Sequence, residues 1–368
     1  MNDKANTASD IRMKGSGYYS LATTGAKIVI DSAMPLIRGA LDRMDIRDDG
    51  SVFAMADMGC ADGGTSIDMV GQALRYVREK APSRPLTMTY TDLPRNDFSQ
   101  VFHNVHGLTD LPGYAPDIDN LYVFASGTSF HQRIFPDNAL NFGFSATASH
   151  YISERPGPIT NHVHMVGAEG AELAAYTEQG RADWERILGC RAAELVPGGG
   201  LVLLNFCRDE KGRYLGGTEG VNMFHTFDRL WREMAEDGAI TMAEYEATVF
   251  PQYYRDIDEC SAPLTDPNSP VHKAGLRLDH IETKVIDCPY RLDYEQHGDA
   301  AKFARDYIPT LRSWSESVFF AGLSEDRPLE ERAELIDHYF DSYETFVREN
   351  PTGQGMDYVH TYMVMHKE

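Results

Sequence analysis

Helical and strand-like spacings of apolar residues alternate along most of this chain. Ile30, Met34, Ile37 and Leu41 fall three or four positions apart and predict a helix over 28–44 with one buried face. Residues 52–57 form a short run that is apolar up to Asp57, the pattern of a strand covered on both sides. A turn containing Gly59, Gly63 and Gly64 follows, then a helical stretch over 66–80. Further strands are predicted at 86–91, ending on Asp92, and at 121–125 and 140–145, with an amphipathic patch at 97–105. A long helix over about 168–195 stops at Pro197 and the glycines after it, and 201–206 is the most apolar strand of all.

Strands alternating with helices predict an α/β fold, a doubly wound and mostly parallel sheet. The end of the chain differs. Residues 278–286 and 358–365 are strand-like with a helical region over 296–348 between them, and 208–274 read as helical or irregular. This fits an antiparallel pair finishing one sheet edge, with both helical segments gathered as a cap. The expected division is a flexible arm over 1–12, a main domain from 13–207, 276–295 and 355–368, and a cap from 208–275 and 296–354.

Composition narrows the function classes. At 368 residues the chain exceeds what one simple core serves, consistent with a main domain plus a second lobe. Its 34 Lys+Arg against 56 Asp+Glu give a net charge of −22, which excludes binding to a phosphate backbone and so a nucleic-acid partner. Acidic chains are often disordered, but 17 Phe, 3 Trp and 19 Tyr supply ample core material. Five cysteines form no disulfide framework, so a reducing, cytoplasmic setting is expected. No apolar run approaches the roughly 20 residues of a membrane helix, and the N-terminal segment lacks a signal-peptide core.

The glycine turn carries the first chemistry. Asp57, Gly59, Gly63 and Gly64 lie between a predicted strand and a predicted helix, where nucleotide-binding α/β proteins hold their ligands. Position 61 is alanine, so the dinucleotide spacing is not met, and no Gly-Lys-Ser/Thr follows. Asp57 and Asp62 would repel a pyrophosphate but suit a ligand with an ammonium group and no phosphate, such as S-adenosylmethionine. Asp92 stands where a strand-end carboxylate accepts hydrogen bonds from ribose hydroxyls. An ordinary βα turn is the plainer reading of the glycines alone; the pairing with Asp92 favours a cofactor site. His162 and His164 could offer two imidazoles from one strand face to zinc, but no further ligand is suitably spaced, so they read as structural and no metal is expected. Cys60, Trp231 and the methionines at 55, 58 and 69 read as packing, and the acidic helix 325–349 as a solvated face.

The set Met13-Lys-Gly15, the turn 57–63, Asp-Leu-Pro-Arg-Asn-Asp-Phe at 92–98, Ser-Gly-Thr-Ser-Phe at 126–130, Ile134-Phe-Pro136, Cys190-Arg-Ala192, Pro197-Gly-Gly199, Pro251-Gln-Tyr253 and Asp279-His-Ile281 resembles the SABATH methyltransferases. These comprise salicylate, benzoate and jasmonate carboxyl methyltransferases and the caffeine-pathway N-methyltransferases. The resemblance implies a Rossmann-like class I methyltransferase fold, S-adenosylmethionine as cofactor and a homodimer. It places Tyr19, Asp57 and Gly59 near the methionyl part of the cofactor, Asp92 on the ribose, and Leu93 beside the adenine. Ser129 and Phe130 would close over the adenine, and Ser145 would line the cleft. On the substrate side, Ala26 stands where salicylate-specific members have Gln, and His150-Tyr151 where they have Met-Trp. Met223, Phe224 and Tyr253 fall at positions lining the acid pocket. A small acid other than salicylate is therefore the expected substrate.

Methyl transfer to a carboxylate asks little acid–base help, because a carboxyl group is already ionised at neutral pH. Holding an oxygen in line with the methyl carbon in a dry site suffices, so no catalytic triad or carboxylate pair need exist. N-methylation of a small heterocycle is the nearest rival, with His150 as proton acceptor. A nicotinamide-dependent dehydrogenase fits the sheet but not the glycine spacing or the acidic turn. A binding protein without turnover is the remaining class.

Overall fold

The computed structural model describes residues 23–218 and 220–368. The arm over 1–12 and Tyr19 lie outside the described residues. Strands β1 (Phe53–Met58), β2 (Leu86–Asp92), β3 (Leu121–Gly127), β4 (Leu140–Ala146), β5 (Leu195–Phe206), β6 (Leu276–Ile286) and β7 (Tyr358–Lys367) form one sheet in the order β3-β2-β1-β4-β5-β7-β6. The first five are parallel, whereas β7 runs antiparallel to both β5 and β6. The expected antiparallel finish is thus present at one edge.

The helix expected over 28–44 is two, α1 (Thr24–Asp31) and α2 (Met34–Arg43). Pro35 has no backbone N–H and fits only a first turn, so the helix restarts there. Helices α3 (Ile67–Lys80) and α4 (Phe98–Val105) follow the first two strands, and α5 (Gly170–Glu194) precedes β5. Strand β5 begins at Leu195, well before the expected 201, and runs through the glycines read as a stop. Those glycines serve close packing: a Cβ on Gly199 would meet the Val196 and Asn141 carbonyl oxygens at 2.8 and 3.0 Å. β4 and β5 shift register between Leu140 and Phe142 to admit them.

Side chains along the central strands alternate between two cores. Phe53, Met55, Val202 and Leu204 face one, whereas Ala56, Met58, Leu201 and Leu203 face the other with Trp184 and Leu188 of α5. The second half of the chain adds α6 (Met223–Glu236), α7 (Met242–Ala247), α8 (Ile257–Thr265), α9 (Pro270–Lys273), α10 (Pro289–His297), α11 (Ala300–Gly322) and α12 (Leu329–Glu349). α6, α7, α11 and α12 pack together around Trp231, which is fully buried against Phe319 and Tyr339. α8 and α9 instead lie on β6 and α5, with Cys260, Leu264 and Val271 in the second core. The segment expected as cap over 208–275 therefore divides, because its last third carries apolar residues that cover the sheet. α12 is amphipathic rather than solvated throughout: Ile336, Tyr339, Phe340, Tyr343 and Val347 are buried. No described helix is long and apolar enough to cross a membrane.

Candidate active site

β1 and β4 are neighbours from which the strand order proceeds in opposite directions, so their carboxyl ends flank the switch point where open α/β sheets bind ligands. Gly59 leaves β1 at φ +81°, and a Cβ there would lie 2.5 Å from Cβ of Ala148 in the chain leaving β4. Only glycine permits that approach. Ser145 Oγ donates to the Met58 carbonyl at 2.6 Å, strapping the two strand ends together. Asp57 is buried and accepts from Ser66 Oγ at 2.6 Å. Burial pushes its carboxyl up to about 7 against that hydrogen bond, with the Asp92 charge adding to the rise.

Asp92 Oδ1 accepts from its neighbour Leu93 N at 2.7 Å, and Oδ2 from Ala61 N at 2.8 Å. Asn96 Nδ2 donates to the Ala61 carbonyl at 2.6 Å. Two members of the 92–98 motif thereby clamp both backbone groups of Ala61, which is held at φ +49° where a glycine would otherwise be expected. Asp97 caps α4, whose Asn104 Nδ2 donates to the Asp62 carbonyl at 2.8 Å. Among the described residues, Asp57 and Asp92 receive bonds from hydroxyl and backbone N–H groups and from no cation. An acceptor set of this kind fits a ligand with a positive charge and ribose hydroxyls, and not a phosphate.

A loop over 128–132 crosses the crevice. The Phe130 ring comes within 3.9 Å of the Cβ position of Gly59, and Ser129 Oγ accepts from His131 N at 3.3 Å. Arg191, 1% exposed in the last turn of α5, donates to the carbonyls of Phe130 at 3.0 Å and Gln132 at 2.9 Å. Glu194, fully buried, pairs with Arg191 at 2.7 Å and accepts from Ile134 N at 2.6 Å. This buried ion pair satisfies its remaining groups on loop backbone, as a buried pair must if it is not to cost stability.

Beside the crevice lies a narrow cavity of about 20 Å³, closed down to the size of a water, between the tip of β4, α1 and the helices after β5. Ala26, Phe206, Leu215, Trp314, Met356 and Tyr358 form its largely apolar wall, and Thr23, Thr147, His150, Tyr151 and Gln252 its polar one. Neither lysine, arginine, aspartate nor glutamate is among the described lining residues. Gln252 Oε1 is engaged by Tyr254 Oη and His164 Nε2, each at 3.1 Å. That leaves the Gln252 amide N–H groups to serve Tyr151, with which the side chain is hydrogen-bonded. The Tyr151 proton is then free to point into the cavity. Burial raises the Tyr151 phenol well above its usual range and drives His150 well below its own, so both are neutral.

The sequence profile described as "SAM dependent carboxyl methyltransferase" matches residues 9–368. The chain belongs to this family. This methyltransferase is similar to salicylate carboxymethyltransferase of Clarkia breweri, 26% identical over 74% of this chain and 75% of the relative. It also matches a probable caffeine synthase 2 of Camellia sinensis, 23% identical over 79% and 82%. The structure of a loganic acid methyltransferase with SAH superposes with a TM-score of 0.74 at 19% identity, covering 97% of this chain and 98% of that one. The shared class I methyltransferase fold and the use of S-adenosylmethionine follow.

Within the methyltransferase, Asp57, Gly59, Asp92, Leu93, Phe130 and Ser145 gather at the crevice, and Ser129 lies in the loop across it, though the Ser145 hydroxyl is spent on β1. His150 and Tyr151 line the cavity, as does Ala26. Met223 and Phe224 stand one layer back: Phe224 stacks on His164 at 3.7 Å and meets Trp314 edge-on at 6.2 Å. Tyr253 does not join the site. Its hydroxyl bonds Glu259 Oε1 at 2.5 Å and Thr177 Oγ1 at 3.0 Å, in a separate groove between α5 and α8. Residues 250–255 run extended beside Tyr151, so alternate side chains face opposite ways. Phe250, Gln252 and Tyr254 face the site, and Tyr253 and Arg255 face away. The bridge between Tyr151 and Gln252 sets that alternation and marks Gln252 and Tyr254, which the sequence motif alone did not single out. His162 and His164 lie in a loop rather than on a strand and bond His225 and Gln252.

Proposed function

We propose that this methyltransferase esterifies a small, partly apolar carboxylic acid of the aromatic, indolic or terpenoid class, bound at the cavity beside the crevice, whose side chains part to admit it. The observation that carries this reading is a cavity whose polar wall consists of neutral donors. S-adenosylmethionine supplies a methyl group on a sulfonium and departs as a neutral thioether. The chain's own part is to hold and dry the acceptor. An arginine paired to the carboxylate would draw off the charge that makes its oxygen nucleophilic; Tyr151, oriented by Gln252, tethers one oxygen by a single hydrogen bond and leaves the other exposed. The apolar wall excludes water from the line of transfer.

On the cofactor side, Asp92 accepts from the ribose hydroxyls, Asp57 faces the ammonium end, Gly59 admits close approach, and Leu93, Ser129 and Phe130 enclose the adenine, with Tyr19 assigned by resemblance. The four cap helices α6, α7, α11 and α12 close the acid cavity, with Met223 and Phe224 supporting its wall. Five free cysteines suit a reducing compartment such as the cytoplasm, and a homodimer is the assembly the resemblance implies. One observation favours the second reading, N-methylation: neutral His150 has an Nδ1 with no described partner and could take a ring N–H proton. Both readings meet one experiment. Methyl-labelled cofactor is offered with aromatic, indolic, terpenoid and fatty acids and with small N-heterocycles, and the methylated atom is identified. Methyl esters are expected; label on nitrogen alone would replace the first reading with the second. Tyr151→Phe is expected to raise KM for the acid on the order of 10-fold with cofactor affinity unchanged, as loss of a hydrogen bond to a charged group requires.

A further inference from the structure

Five described residues other than glycine have positive φ. Three are asparagines, which tolerate the left-handed region. The others, Ala61 at +49° and Thr147 at +58°, both lie at the mouth of the crevice. Ala61 is explained by its clamp. Thr147 is β-branched, the least suited type for this conformation, and such strain persists only where surrounding structure imposes it. The reversal at Thr147 has two geometric results. It brings Ala148 against the Gly59 position, and it turns the Thr147 side chain into the acid cavity. One residue thus stands between the methyl-donor loop and the acceptor site.

Its hydroxyl has a specific neighbour. Thr147 Oγ1 lies 3.2 Å from His360 Nε2, and no other described residue is hydrogen-bonded to it. His360, on β7, is wholly buried, with its ring 4.3 Å from Phe206, and its Nδ1 has no described partner. Burial drives its pKa down to about 3, so the ring is neutral and carries one N–H. If that N–H were on Nδ1, it would be an orphaned buried donor, which is rarer than an orphaned acceptor. The proton therefore belongs on Nε2, which donates to Thr147 Oγ1. The threonine O–H is then left to donate into the cavity.

We propose that the Thr147 hydroxyl, oriented by His360, is a second neutral donor that positions the acceptor carboxylate opposite the methyl group. The proposal rests on the acid reading above and adds the chain's own pair to it. His360 is a positioning residue acting through Thr147. Tyr151 backed by Gln252 and Thr147 backed by His360 then form two matching arms, each a hydroxyl whose lone pair is occupied by a buried donor.

Two measurements test the pair. Nitrogen-15 NMR of the histidines in the wild-type protein, assigned through His360→Phe, is expected to show His360 protonated on Nε2; a proton on Nδ1 overturns the proposal whatever the substrate. On an acid that the wild type esterifies, Thr147→Val is expected to lower kcat/KM on the order of 10-fold, with cofactor affinity unchanged. Thr147→Ser restores the hydroxyl and should recover most of that loss. His360→Phe should lower kcat/KM in the same direction, and the double variant should be no worse than Thr147→Val, since the two act through one bond. Wild-type kcat/KM in Thr147→Val, or strict additivity in the double variant, overturns the proposal. If the wild type esterifies no acid, the functional reading fails on its own, and the His360 tautomer alone decides the pair.

Discussion

Asp57 is buried in the crevice with no cation among the described residues bonded to it, and its carboxyl is raised from the ordinary 3.8 to about 7. A folded value above the unfolded one gives stability that is full below pH 3.8 and is lost as pH rises through 7. A ligand bringing positive charge restores the ionised form, so binding must expel a proton wherever Asp57 is protonated beforehand. Titration calorimetry with S-adenosylmethionine at pH 6, in buffers of different ionisation enthalpy, is expected to show proton release that fades by pH 8. Asp57→Asn should reduce the release, Asp92 being raised by burial as well, and weaken binding. No release at pH 6 in the wild type would remove Asp57 from the cofactor site. The Ala61 clamp is another residue-scale lesson: the 92–98 motif is legible as a string, but that Asp92 and Asn96 both grip position 61 depends on β2 pairing beside β1.

At the scale of elements, the loop over the crevice is held from behind. Arg191 and Glu194, three apart on α5, reach across to the backbone of Phe130, Gln132 and Ile134. Cys190-Arg-Ala192 is visible in the sequence as a motif, yet its purpose is not, because the loop it braces is some sixty positions earlier. Glu194→Gln leaves the Arg191 charge buried without its partner, which costs on the order of 3–5 kcal/mol. A fall of that size in the unfolding free energy from denaturant titration is expected, with weaker cofactor binding as Phe130 loosens; unchanged stability would mean that the pair is idle. The same limit explains Tyr253. A motif marks a segment, and only pairing against Tyr151 decides which alternate residues face inward.

Across the whole molecule, burial has depressed a group of histidines. His131 is driven down to about 4 and His360 to about 3, and His150, His162 and His164 are also lowered, each chiefly by burial. A histidine whose folded pKa lies below its unfolded 6.5 contributes stability that is complete above 6.5 and is lost as pH falls towards the folded value. Asp57 acts oppositely between 7 and 3.8, and Asp92, also raised by burial, acts in the same sense, but two carboxyls face five rings. Each pKa unit is worth about 1.4 kcal/mol, so a few rings are enough to offset marginal stability. Thermal unfolding without cofactor is therefore expected to show Tm falling from pH 7 to pH 5. A flat or rising Tm over that interval would show that the rings are not held neutral.

Local sequence determined the alternation of helices and strands, the antiparallel finish and the acidic glycine turn, because apolar periodicity and turn chemistry act over a few neighbouring residues. Membership of the methyltransferases was legible for the same reason, being carried by short ordered motifs. What the tertiary structure decided is which distant groups meet: His360 behind Thr147, Gln252 behind Tyr151, and Arg191 behind Phe130. Those pairs join residues 61 to 213 positions apart, and sheet order and register, rather than local preference, bring them within hydrogen-bond reach.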